Sequence, residues 1–168
     1  MLLALNIVPT LILVTILYVR SKTFKIDLLK LNSISANQVL YSFCISVIGF
    51  SVLARISSIF ITIPVQQGIT KTPIMYIYAV LFSPVIEELI FRKFILIKIS
   101  KYINWWIAAF ISSIIFASLH FDSGGFIGYI FIGIVWCYYY RKSDNILVPI
   151  FSHFIFNYLA ILSQSLKG

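Results

Sequence analysis

Glu87 and Glu88 stand side by side in Leu81-Phe-Ser-Pro-Val-Ile-Glu-Glu-Leu-Ile-Phe-Arg92, a stretch otherwise apolar enough to lie inside a bilayer, in a chain with only five acidic residues. A carboxylate at membrane depth is costly unless it is paired or protonated, so each such residue marks a functional site by default. Both histidines of the chain, His120 and His153, also fall inside apolar runs. Two acids, one arginine and two imidazoles are therefore expected to gather in one low-dielectric place. On a helix Glu88 and Arg92 are i and i+4 and can pair, whereas Glu87 points about 100° away and is free for another task. His153 and Asn157 are also i and i+4 and face the same way, into the bundle if they are to avoid lipid. The plainer readings are a salt bridge locking a helix, for Glu88 with Arg92, and a hydrogen-bonded packing residue, for either histidine alone. Titratable groups clustered in an apolar setting point instead to function.

Missing motifs narrow the chemistry. No His-Glu-x-x-His is present, which excludes the zincin arrangement and the intramembrane metalloproteases built on it. No Gly-x-Ser-x-Gly is present either, and no serine lies beside a histidine at a useful spacing. What remains is a water activated by carboxylate and imidazole, with or without a metal.

The elements that must position these groups are read from hydropathy. The 168 residues are 61% hydrophobic and 17% aromatic, with a mean hydropathy of +1.01, far more apolar than a soluble chain. The expectation is one all-α, polytopic membrane domain over 1–168, since a bilayer leaves no water to satisfy backbone groups and the apolar runs are too long for barrel strands. Six helices are predicted: Leu2 to Val19, Val39 to Val65, Ile74 to Ile99, Trp105 to His120, Phe126 to Tyr140 and Ile146 to Leu162. The motifs all lie in 74–162. Arg20, Lys22 and Lys25 follow the first run rather than precede it, which reads as a retained helix and not a secretory signal.

The net charge of +8 belongs to loops. Arg20, Lys22, Lys25 and Lys30, then Lys98 and Lys101, then Arg141 and Lys142 occupy alternate connections. Those connections are expected on the cytoplasmic side against anionic lipid, both termini outside, and no nucleic acid is implied. Cys44 and Cys137 lie in apolar runs and read as buried thiols. The fourth and fifth runs are short for a ~30 Å hydrocarbon core, so their connection, Phe121-Asp-Ser-Gly-Gly125, is expected to dip into the membrane and to line a wet cavity. Depth counting still sets His120 nearer the outer face than His153, a mismatch that requires a broken or tilted helix. Pro84 is expected to loosen its helix and free carbonyls near the site.

Glu87-Glu88-x-x-x-Arg92, Phe116-x-x-x-His120 and His153-x-x-x-Asn157, in that order, resemble the CAAX-protease and bacteriocin-processing family of intramembrane proteases, also called the Abi family. The resemblance covers Glu87 to Asn157. It implies peptide-bond hydrolysis in a cavity within a cell membrane, on peptide or membrane-protein substrates. Glu87 would be the general base and His120 its partner in activating water. His153 and Asn157 would stabilise the oxyanion, with Glu88 and Arg92 orienting the others. Family members are often called metalloproteases, and Glu87, His120 and His153 could hold zinc with an open water position; a metal-free glutamate mechanism uses the same residues. Small bacterial members are linked to bacteriocin self-immunity, and the Ile-, Lys-, Phe- and Tyr-rich composition resembles that of a low-GC bacterium, hence a multi-pass bacterial plasma-membrane protein. The alternative from another class is a non-catalytic membrane immunity or regulatory protein that binds a partner through the same cavity.

Overall fold

A computed structural model describes residues 33–60 and 73–166. The first predicted helix, the tail of the second and the basic residues before position 33 lie outside the described residues. Helix α1, Ala36–Phe60, begins where the Ser35 hydroxyl accepts the Gln38 N–H at 3.4 Å, an N-cap that satisfies one of the orphan donors of a first turn. Helix α2 runs over residues 73–99 without leaving helical backbone, but its register changes along the way. It is α-helical over Pro73–Ile77, π-helical over Tyr78–Phe82, α-helical over Ser83–Glu88, π-helical again over Leu89–Leu96 and α-helical over Ile97–Ile99. Helix α3, Trp105–Ser118, is capped by Asn104, whose side chain accepts the Trp106 N–H at 2.8 Å. Helices α4, Phe126–Ser143, and α5, Leu147–Ser165, complete the described chain.

No strand occurs among the described residues, and the protein is an all-α membrane protein. Three helical stretches, Ala36–Ile59, Ile74–Ile99 and Leu147–Ser165, are long and apolar enough to cross a membrane, and Trp105–Ser118 is a shorter apolar helix. Helix α4 extends three residues beyond the expected Tyr140, through Arg141, Lys142 and Ser143. Cations are favourable at a helix C-terminus, so the polar end of the run stays helical. At ~1.5 Å per residue its 18 residues span about 27 Å, and α4 is not the short helix that the hydropathy suggested.

Helix α1 packs along α4 and α5, and α3 along α4. The first half of α2 lies against α5 and its second half against α3 and α4. Val39, Phe91, Phe116, Ile132, Val135, Trp136, Tyr139 and Val148 form the main apolar cluster. The rest of the distribution is inverted relative to a soluble protein. Ile48 and Ile59 are 65% and 71% exposed, whereas Glu88 and Arg92 are completely buried. Lipid accepts the isoleucines at no cost but offers charged groups no partners, which they must find inside the bundle.

Candidate active site

The site is built around the Ser83–Glu88 turn of α2. In an α-helical register Pro84 would press its ring against the carbonyl of residue 80. The chain widens instead into the π turn Tyr78–Phe82, where the Ser83 N–H reaches back to the Tyr78 carbonyl. Such π turns are frequent at functional sites. The turn that follows carries Glu87 and Glu88 at adjacent positions, and the ~100° between them separates two environments.

Glu88 is sealed. Its Oε1 accepts from His153 Nδ1 at 3.0 Å and its Oε2 faces Arg92 Nε at 3.1 Å. The Arg92 contact is an ion pair rather than an aligned hydrogen bond, because neither Arg92 Nε nor Glu88 Oε2 has a partner with hydrogen-bond geometry. The guanidinium is held further by Nη2 donating to the Gly133 carbonyl at 3.3 Å. It also lies over the rings of Phe116 at 4.8 Å, Trp136 at 5.4 Å and Phe91 at 6.0 Å. Ring quadrupoles stabilise a desolvated cation, so Arg92 has one anion and an aromatic cage in place of water. Gly133 is required for the close packing of α4 on α3, since a Cβ there would meet the Ser113 Cβ and Oγ at 2.8 Å.

Glu87 is the open acid, with 24% of its side chain exposed. Its Oε1 accepts from the Ser83 hydroxyl, and its Oε2 stands 3.8 Å from His153 Nε2. His153 is 2% exposed and lies between the two acids. Its ring stacks on Trp136 at 4.0 Å, and the Trp136 indole N–H donates to Ser152 Oγ at 3.1 Å. The imidazole is therefore fixed in plane by the indole and in rotation by Glu88.

His120 follows α3, beyond its last turn. Helical side chains lean toward the N-terminus, and this ring folds back so that Nδ1–H donates to the Phe116 carbonyl at 2.9 Å. That bond leaves Nε2 with its lone pair, the tautomer suited to accept a proton. The ring stacks on Tyr129 at 4.1 Å and meets the Phe116 ring edge-on at 4.6 Å; Phe116 in turn lies 6.1 Å from the His153 ring. His120 is within electrostatic range of Glu87, His153 and Arg92. The Phe121–Gly125 connection begins directly after His120, with Phe121 at a positive φ of 51°.

Asn157, one helical turn after His153, donates its Nδ2 to the Ala79 carbonyl at 2.8 Å, tying α5 to the π turn of α2. The Glu87, His120 and His153 set is not gathered as a zinc site needs. Among the described residues no group of three His, Cys, Asp or Glu side chains is arranged to hold a metal ion; both Nδ1 atoms have other partners, which leaves Nε2 as the nitrogen either histidine could offer a metal. The sequence reading missed Ser83, Tyr129 and Trp136. Ser83 is legible in principle, at i−4 from Glu87; the two aromatic stacks join residues from different helices and leave no local signal.

A buried acid locked to an arginine, an open acid beside it and two ordered imidazoles form the polar site of this all-α membrane protein. Comparison with known proteins agrees with the sequence resemblance. The family model described as type II CAAX prenyl endopeptidase Rce1-like matches residues 69–159, and the chain belongs to this family. It is 33% identical over 96 residues, 57% of this chain and 39% of the relative, to the "Putative membrane peptidase YdiL" of Bacillus subtilis (strain 168). It is 30% identical over 103 residues, 58% of this chain and 42% of the relative, to the "Membrane-embedded CAAX protease MroQ" of Staphylococcus aureus (strain USA300). The chain thus spans about two fifths of the length of these curated relatives. No solved structure matches it at a significant level.

Proposed function

We propose that this protein is an intramembrane endopeptidase that hydrolyses peptide bonds of membrane-associated proteins or peptides with a water activated by Glu87. The observation that carries the reading is the asymmetry of the two acids: Glu88 is completely buried and Glu87 is partly open. In the proposed reaction a water between Glu87 and His120 gives its proton to the Glu87 carboxylate as its oxygen attacks the scissile carbonyl carbon. The resulting oxyanion is stabilised by Asn157 and, when it carries a proton on Nε2, by His153. The C–N bond then breaks as the Glu87 carboxyl passes its proton to the leaving nitrogen, which restores the carboxylate. Glu88 and Arg92 act through His153 and through the geometry of α2, and do not touch substrate.

The family description and the names of the relatives favour substrates of the CAAX type or other membrane-anchored chains. The apolar composition and the bacterial relatives favour a multi-pass protein of a bacterial plasma membrane, with bacteriocin processing or self-immunity among its roles. A second reading, a non-catalytic membrane immunity or regulatory protein, is favoured by one observation: Asn157 and Glu87 Oε1 already have internal partners.

Cleavage of membrane-tethered peptides by purified protein in detergent or liposomes, wild type against Glu87→Gln, separates the two. Glu87→Gln should remain folded and bind peptide while turnover falls by about 10² to 10⁴-fold. Full protection by Glu87→Gln in a bacteriocin-challenge assay would instead establish the binder. A parallel arm with chelator, then added zinc, tests the metal: activity lost and regained would replace the metal-free mechanism with a zinc one.

A further inference from the structure

Ala79 is the residue whose carbonyl the α2 backbone leaves without a donor. In an α-helical register it would receive the Ser83 N–H, but that N–H is bonded to the Tyr78 carbonyl. In the π register it would receive the N–H of residue 84, and residue 84 is proline, which has none. Pro84 is fully buried and Ala79 is partly buried in an apolar helix, where an unmet carbonyl is costly. The Asn157 amide fills the gap at 2.8 Å from the neighbouring helix. A carbonyl is an acceptor only, so it admits the NH2 end of an asparagine and repels the oxygen end. One flip state of Asn157 is therefore selected, and the second N–H on Nδ2 remains for another acceptor on the face that Asn157 shares with His153.

We propose that Pro84 is a positioning residue: by withholding a backbone N–H it exposes the Ala79 carbonyl, which fixes the orientation of the Asn157 amide. On the protease reading of the site, on which this role in catalysis rests, the fixed amide presents its free N–H to the oxyanion. The hydrogen bond itself does not depend on that reading. Pro84 and Ser83 then divide the work of one turn, Ser83 holding Glu87 and Pro84 holding Asn157.

The test uses Pro84→Ala, which restores an N–H able to take the Ala79 carbonyl. In full-length protein in detergent, the side-chain amide signals of Asn157, assigned by their loss in Asn157→Ala, should show in wild type one slowly exchanging, hydrogen-bonded proton beside a freer one. In Pro84→Ala this difference should collapse. With a cleavable peptide, kcat of Pro84→Ala should fall toward the ~10² to 10³-fold loss of a missing oxyanion donor with KM kept, and should fall no further when Asn157→Ala is added. An Asn157 signal unmoved by Pro84→Ala, or equal independent losses of kcat in the presence and absence of Asn157, would overturn the proposal. If Pro84→Ala does not fold, the wild-type spectrum decides, since two equivalent, fast-exchanging Asn157 protons would overturn it alone. An amide response to Pro84→Ala, together with no cleavage by the wild-type chain, would uphold Pro84 as the holder of Asn157 and overturn the protease reading.

Discussion

The two sides of the Ser83–Glu88 turn are built on opposite principles although their acids are neighbours in sequence. On the Glu88 side every charge is enclosed: Arg92, His153, the Gly133 carbonyl and the rings of Phe116, Trp136 and Phe91 leave no path to solvent. On the Glu87 side the groups are held more lightly, Glu87 by one serine hydroxyl and a 3.8 Å approach to His153, and His120 by one carbonyl and two rings. The difference teaches that a membrane protein can place a partly open acid beside an enclosed ionic core, in which each charge depends on its partner. Changes on the sealed side should therefore appear in stability, and changes on the open side in rate.

Arg92→Ala is the largest expected effect. Removing one member of a buried pair strands the other, and destabilisation of about 3 to 5 kcal/mol is expected, read as lost folded yield and a lowered Tm in detergent. Glu87→Gln should leave Tm close to wild type. Normal thermal stability of Arg92→Ala would break the comparison and make Arg92 a substrate contact.

Gly133→Ala is the next. Its Cβ would collide with Ser113 on α3, and overpacking of this kind costs about 1 to 3 kcal/mol. Denaturant or thermal unfolding should show the loss, with turnover of the remaining folded protein nearly unchanged. A rate loss at full stability would show that the Gly133 carbonyl, through Arg92, reaches the open side.

Tyr129→Leu removes the ring stacked on His120. Aromatic pairs contribute about 0.5 to 1.5 kcal/mol beyond burial, so kcat should drop by a few-fold to about 10-fold with Tm little changed. Rescue by Tyr129→Phe would assign the effect to the ring rather than the hydroxyl. Ser83→Ala is the smallest, a single hydrogen bond of about 0.5 to 1.5 kcal/mol, expected as a several-fold fall in kcat with KM kept. A Tm loss larger than that of Gly133→Ala would place Ser83 with the sealed core instead.

Much of this was legible from residue types and spacing. Apolar runs separated by basic loops fix an all-α membrane protein, because lipid permits only internally bonded backbone, and the last four runs match helices of the structure to within a few residues. The Glu88–Arg92 pair and the shared face of His153 and Asn157 follow from the ~3.6-residue period alone. The three motifs likewise carried the family, since each needs only order and short spacing. The length of α4 was underestimated because hydropathy stops at Arg141 while a helix does not. Only the tertiary structure decided which acid is sealed, that His153 sits between both acids, that His120 folds back onto Tyr129 and that Asn157 meets the Ala79 carbonyl. Those are contacts between helices far apart in sequence, set by packing and by the break at Pro84, and a local pattern cannot encode which neighbour a side chain will find.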